Sequence, residues 1–331
     1  MKELYPLKFE PVLKEKIWGG QTLARHYGKK AGNLNNIGES WELSAVSDNV
    51  SVVSNGFLAG NNIEEVIEVY MEDLTGESVY DKFGVEFPLL IKFIEAREDL
   101  SVQVHPGNDL AKKRHNAYGK TELWYILESE KDAKIYTGFS RPVTKEEYID
   151  ALDNNKIISL LNVESAVAGD TFFTPAGRIH AIGAGTVLVE IQQTSDITYR
   201  IYDWGRQGLK GESRELHTEL ALESIDFSSA GNCKIRKTPA LNKIENLVNC
   251  EFFNANILHF NNRIIRDYNL IDSFVVYICT EGGLLINWDV NSETVSKGET
   301  VLLPAIIRDV ALQPAPEATV LEIYIDTEKN H

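Results

Sequence analysis

The chain has 331 residues, 43% hydrophobic and 25% charged, the proportions of an ordinary globular protein with ample material for a core and not those of a disordered or fibrous chain. Its formal net charge is −16, which argues against nucleic acid and anionic membrane surfaces as partners, so an anionic ligand needs a local basic pocket. The three cysteines, Cys233, Cys250 and Cys279, lack CxxC spacing and supply neither a disulfide framework nor a thiolate zinc site.

No apolar run approaches the roughly 20 residues that span a bilayer, and residues 1–20 alternate charged and apolar side chains too finely for a signal-peptide core. The expectation is a soluble, cytoplasmic protein in a reducing compartment. Along the chain, residues 61–73 read as a helix, and 88–96, 101–105, 122–129 and 134–139 read as short strands rich in β-branched and aromatic residues. Residues 144–162 open with Thr144 and carry Glu147 three residues later, a capping box followed by apolar residues at helical spacing. A strand at 186–193, a helix at 212–225 and strands at 274–279 and 319–325 follow, with Glu281-Gly-Gly as a bounding turn. Many short strands with few helices predict a sandwich or closed barrel decorated by peripheral helices.

An internal echo organises the chain. Gly169-Asp-Thr-Phe-Phe-Thr-Pro175-Ala-Gly177-Arg-Ile-His180 is matched by Gly298-Glu-Thr-Val-Leu-Leu-Pro304-Ala-Ile306-Ile-Arg-Asp309. In both copies Gly-acid makes a tight turn into a strand and Pro fixes its exit. Gly177 permits the loop that returns His180 to the interior, whereas the second copy has Ile306 and Asp309 there. One repeat is chemically equipped and the other reads as scaffold. The first copy resembles the second motif of the cupin superfamily in its Gly, Pro, Gly and His spacing, although Ala184 stands where that family has Asn. The fold expected is mainly β, with two cupin-type jelly-roll barrels and a few peripheral helices. Residues 1–230 form a catalytic domain with small helical insertions, 235–331 a degenerate C-terminal barrel, and 224–234 the seam.

Gln103 and His105 lie two apart on a strand and so share a face. With Glu122 at the start of the next strong strand and His180 at the end of the motif, they form a candidate metal set of two imidazoles, a carboxylate and an amide oxygen. That mixture suits Zn²⁺, with Mn²⁺, Co²⁺ or Fe²⁺ as alternatives. Taken singly, each residue has an ordinary structural explanation; it is their combination that points to a metal. The remaining histidines, His26, His115, His217, His259 and His331, are expected to be structural or exposed, and the tail 327–331 disordered.

A second constellation is basic. Lys120 shares strand parity with Glu122, Lys92 interrupts an apolar run, and Arg200 follows an acidic strand segment that contains Asp196. Together they make a positive pocket suited to a phosphorylated small molecule. Snorkelling of Lys92, or pairing of Arg200 with Asp196 or Asp203, is the plainer alternative.

QVHP (103–106), GKTELWYIL (119–127), PAGRIHAIGAG (175–185), EIQQTSD (190–196) and YRIYDWGR (199–206), with IWGG (17–20) and GESWELS (38–44), resemble the type I mannose-6-phosphate isomerases of the short bacterial form. The resemblance spans most of residues 5–210. It implies a zinc enzyme on cupin barrels that interconverts mannose 6-phosphate and fructose 6-phosphate. It implies Gln103, His105, Glu122 and His180 as metal ligands and Arg200 as the catalytic arginine. Lys92, Lys120, Glu190 and Asp196 would then line the pocket of a phosphorylated hexose. The isomerisation passes through an enediol, so the site must accept a carbon proton and stabilise an oxyanion. Glu190, raised in proton affinity by burial, is one candidate base; Lys120 and metal-bound hydroxide are others. A cupin oxygenase and a non-catalytic sugar-binding cupin are the competing functions.

Overall fold

The computed structural model describes residues 3–208, 211–237 and 239–326; the tail 327–331, His331 included, lies outside the described residues. Its strands form three sheets, of five, seven and eight strands. The seven-stranded sheet runs in the order Lys234–Arg236, Asp170–Thr174, Glu122–Ser129, Thr186–Gln193, Leu89–Ala96, Ile37–Leu43, Val12–Gly20. Facing it is the five-stranded sheet Tyr199–Tyr202, Val102–Val104, His180–Ile182, Lys134–Phe139, Leu161–Ser165. Trp18, Ile94, Trp124, Ile126, Ile135, Phe172 and Leu188 pack between the two.

The central strands Leu89–Ala96 and Thr186–Gln193 are buried along their whole length, which explains their nearly continuous apolar sequence. Their second face meets Ile63, Val66 and Ile67 of the helix Ile63–Tyr70, and Val276, Ile278 and Leu321 of the eight-stranded sheet. The outer face of the five-stranded sheet is covered by Tyr148 and Ala151 of the helix Lys145–Asp153 and by Ala221 of Thr218–Ser224. The site cavity is therefore walled by sheet on two sides, each sheet backed by a further layer. The sheets are open sandwiches and not closed barrels, within the expected mainly β, cupin-type architecture. No helix among the described residues is long and apolar enough to cross a membrane. The three cysteines are free thiols.

The echo is structural. Gly169 and Gly298 both take positive φ (89° and 84°), each opens a strand, and each strand ends at a Pro-Ala turn. His180 and Asp309 are then the first residues of the strands that return, His180–Ile182 and Asp309–Tyr324. The two halves also exchange contacts. The short strand Leu7–Lys8 pairs with Thr300–Leu303 of the eight-stranded sheet, while the edge strand Lys234–Arg236 pairs with Asp170–Thr174 of the seven-stranded one.

Five elements depart from the sequence expectation. The helix expected over 61–73 spans Ile63–Tyr70 and is broken by Met71 at a positive φ of 47°, and the strand expected over 319–325 already starts at Asp309. The helix expected over 144–162 spans only Lys145–Asp153, because Asn155 takes a positive φ of 55°; a 3₁₀ turn and the strand Leu161–Ser165 follow. Its capping box is half formed: Thr144 Oγ1 accepts from Glu147 N at 3.2 Å, but the Glu147 carboxylate pairs with Arg141. The helix expected over 212–225 spans Thr218–Ser224, its first turn displaced by the hydrogen bonding of His217 to Arg200. The strand expected over 274–279 continues through Glu281-Gly-Gly to Trp288, with register shifts on either side of Gly282. Gly282 makes this bulge possible: its φ is 70°, and a Cβ there would lie 1.9 Å from Glu317 O. Gly282→Ala is expected to lower unfolding free energy by about 1–3 kcal/mol in urea titration; stability equal to the parent protein's would contradict this account of the bulge.

Candidate active site

Backbone register assembles the site before any side-chain detail is considered. Across the five-stranded sheet, Arg200 pairs with Gln103, Gln103 with His180, and His180 with Thr137, one row on a shared face. Across the seven-stranded sheet, Thr174, Glu122 and Gln192 form one row, and Phe172, Trp124, Glu190, Lys92 and Trp41 form the next row on that face. The two sheets present these rows to each other.

Between them, ligand atoms of His105, Glu122 and His180 converge within 4.8 Å of one another, and all three residues are at most 1% exposed. His180 Nε2 is 3.2 Å from Glu122 Oε1 and 3.2 Å from Gln103 Nε2; His105 Nε2 is 3.5 Å from Glu122 Oε2. Each imidazole is oriented by its other nitrogen. His105 Nδ1 lies 2.8 Å from Ile197 O and His180 Nδ1 lies 2.8 Å from Arg178 O. A backbone carbonyl can only accept, so each Nδ1 carries the proton and each Nε2 presents a lone pair inward. Burial lowers the His180 pKa to about 3 and, with Lys120 and His180 adding to it, holds His105 well below the usual histidine range. Both rings are thus neutral at physiological pH, the form that binds metal. Glu122 Oε1 is buried with no hydrogen-bond partner, and burial raises its pKa to about 7 against the pull of Lys120. An unpartnered carboxylate oxygen between two inward imidazole lone pairs fits a divalent cation.

The cations occupy this space as an ordered set. Lys120 pairs closely with Glu122, lies 3.2 Å from His105 Nε2, and is 3.7 Å from Glu190. Lys92 donates to Glu190 Oε1 at 2.9 Å and Gln192 Oε1 at 2.8 Å, beneath the Trp41 ring. It therefore neither snorkels nor presents a free ammonium. Trp124 Nε1 donates to Glu190 Oε2 at 3.0 Å. Burial alone would raise the Glu190 pKa, as anticipated for a general base, but Lys120, Lys92 and the hydrogen bonds from Lys92 and Trp124 outweigh it and lower the pKa to about 2. Arg200 is partly exposed; its Nη1 donates to Glu215 O at 2.9 Å, and its Nε is buried without a hydrogen-bond partner. Asp203, the plainer partner considered for Arg200, is hydrogen-bonded by Arg206 and Arg214. Asp196 is exposed, on the loop that presents Ile197 O to His105.

Trp124, Gln192 and Gln193 were not singled out from sequence. The available signal was two consecutive amides at the end of a fully buried strand, where each must find partners.

Fold and site together define a cupin-type protein with a buried histidine–carboxylate site for a divalent metal, beside a lysine and an arginine. Residues 6–132 match the family model described as phosphomannose isomerase type I, catalytic domain. The chain is 39% identical over 256 residues, 76% of this chain and 78% of the other, to "Mannose-6-phosphate isomerase ManA" of Bacillus subtilis (strain 168). It is 32% identical over 310 residues, 92% of this chain and 93% of the other, to the mannose-6-phosphate isomerase of Streptococcus mutans. The crystal structure of the mannose 6-phosphate isomerase from Bacillus subtilis superposes with a TM-score of 0.88 at 30% identity, covering 97% of this chain and 100% of that one. The chain belongs to the type I phosphomannose isomerase family.

Glu122→Gln is expected to strip the purified protein of bound divalent metal, measured by elemental analysis; undiminished occupancy would remove Glu122 as a ligand. The low Glu190 pKa carries a pH signature. A carboxylate depressed from 4.5 to about 2 contributes stability above pH 4.5 that is lost as the pH falls toward 2. The unfolding free-energy gap between the parent protein and Glu190→Gln is therefore full at neutral pH and narrows below pH 4.5. A gap that widens on acidification would contradict the assignment.

Proposed function

We propose that this protein is a zinc-dependent aldose–ketose isomerase that interconverts mannose 6-phosphate and fructose 6-phosphate through an enediol. The observation that carries the proposal is the buried convergence of His105, Glu122 and His180 in register with Gln103 and Arg200, with Lys120 against the carboxylate. Family membership supports the substrate, since the relatives named above are mannose-6-phosphate isomerases.

His105, Glu122, His180 and Gln103 would hold the metal; the Gln103 amide turns to present its oxygen. When bound, Zn²⁺ supplies Lewis acidity at the sugar oxygens and favours the enediolate electrostatically. The residues divide the remaining work. Arg200 offers the buried Nε donor to an anionic oxygen of the substrate, which suits charge that grows at the enediolate. Glu190, held ionised by Lys92, Lys120 and Trp124, is a poor proton acceptor near neutral pH and serves as the anchor for the two lysines. We assign proton transfer between the two carbons to Lys120, an interior amine in contact with the ligand set, acting as the neutral amine once its ammonium proton has passed to water, so that it takes the proton from one carbon and returns it to the other. Asp196, exposed on the loop beside Ile197, is assigned to the pocket by the family resemblance alone, and Lys92 acts through Glu190.

An oxygenase needs a three-ligand face with open positions for oxygen, whereas here Gln103 lies against His180 and Lys120 against Glu122 and His105. The isomerase is tested by a coupled assay for fructose 6-phosphate formed from mannose 6-phosphate. Activity is expected in the purified protein, lost on chelation and restored by Zn²⁺; no turnover by folded, zinc-replete protein would reject the function. Arg200→Ala is expected to lower kcat on the order of 10²-fold while zinc content is retained.

A further inference from the structure

The dipeptide Gln192-Gln193 is explained on one side only by the mechanism above. Successive strand residues point to opposite faces. Gln192, paired in register with Glu122, is on the site face, where it accepts from Lys92. Gln193 is on the other face and is 6% exposed, yet both ends of its amide are engaged. Its Oε1 accepts from Thr121 N at 3.0 Å and its Nε2 donates to Asn108 Oδ1 at 3.0 Å. The same Asn108 oxygen accepts from Gly119 N at 2.9 Å. Between these two anchors, Lys120 N donates to Pro106 O at 3.2 Å, and Gln193 N donates to Thr121 O at 3.2 Å. Three consecutive peptide N–H groups, those of residues 119, 120 and 121, are thereby fixed around Lys120.

Close packing leaves the segment little freedom. A Cβ at Gly119 would lie 2.7 Å from Asn108 N, so Gly119 is pressed against the start of the helix Asn108–His115. The bonds also dictate chemistry. Asn108 must present an oxygen, because it accepts from two donors, and Gln193 must present an oxygen to Thr121 and a donor to Asn108.

We propose that Gln193, working with Asn108 through the backbone of residues 119–121, is a positioning residue that sets Lys120 in the site from the opposite face of the sheet. The inference rests on the isomerase function for its kinetic consequence but not for its structural one. A lysine that handles a proton must be placed to a fraction of an ångström, and a displacement near 1 Å costs on the order of 10²-fold in rate.

The test compares the parent protein, loaded with zinc, with Gln193→Met, which keeps the length of the side chain but removes both amide bonds, and Asn108→Asp, which keeps only acceptors. Each is labelled with an amine-reactive ester and lysines are quantified by mass spectrometry; zinc content, kcat and KM are measured alongside. In Gln193→Met, labelling of Lys120 is expected to rise severalfold while Lys92, held by Glu190 and Gln192, stays protected. Zinc remains bound, and kcat falls on the order of 10- to 100-fold with KM little changed. Asn108→Asp is expected to keep the labelling and kinetics of the parent. Unchanged Lys120 labelling in Gln193→Met, or a parallel rise at Lys120 and Lys92, would overturn the proposal. If the parent protein does not isomerise mannose 6-phosphate, the function fails while the labelling still decides the clamp.

Discussion

Everything at the candidate site depends on the alternation of charge in a buried space. Lys92, Glu190, Lys120 and Glu122 form a chain of opposite charges between two sheets, each residue at most 6% exposed. None is tolerable alone: an unpaired buried charge costs several kcal/mol, whereas a neighbour of opposite sign with satisfied hydrogen bonds offsets most of it. The chain ends at the two imidazoles, and their inward lone pairs follow from the same logic. Neutral rings leave Glu122 one oxygen short of a partner, and a divalent cation supplies what the protein's own groups leave unmet.

The eight-stranded sheet repeats part of the register of the seven-stranded one without the candidate ligands. Register aligns the stack Phe172, Trp124, Glu190 and Lys92 with Val301, Tyr277, Glu322 and Asn256. Glu322, fully buried, stands where Glu190 does, and it too is fully engaged: Arg266 grips it at 2.7 and 3.0 Å, and Asn256 and Tyr268 donate to it. The ligand positions fare differently. Glu122 corresponds to Val275, His180 to Asp309 and Gln103 to Asp267. The buried carboxylate and its cation persist as a fold-holding core, while the metal set does not.

The cluster of His105, Glu122 and His180 was legible in sequence because its signals are local: Gln103 and His105 share strand parity, and His180 ends a motif whose glycines dictate its loop. The seven main strands were legible for the same reason. What sequence did not disclose depends on elements distant in the chain. The proton affinity of Glu190 is decided by Lys92 and Trp124 on the neighbouring strands and by Lys120 just before one of them, and their three contributions reverse the sign that burial alone would set. Element ends were lost to single residues: the left-handed Asn155 stops a helix that composition would have continued, and Gly282 carries a strand through a Gly-Gly pair that reads as a turn. Gln192 and Gln193 were silent because an amide has meaning only once its partners are known.

The two-residue strand Leu7–Lys8 has a consequence for how this protein is made. It pairs with Thr300–Leu303, and the Lys8 ammonium meets Glu299 across a separation of 291 residues. Lys8 is also held locally, its N–H by Asn55 Oδ1 at 2.9 Å and its carbonyl by Ser54 N at 2.8 Å, but on a chain made at about 5–20 residues per second its strand partner leaves the ribosome much later. Docking of the two sheets therefore waits for the later strand, and a pairing so remote in sequence slows the search for the native topology. Until then one edge of Leu7–Lys8 is open, and the arrival of Thr300–Leu303 is what shields it.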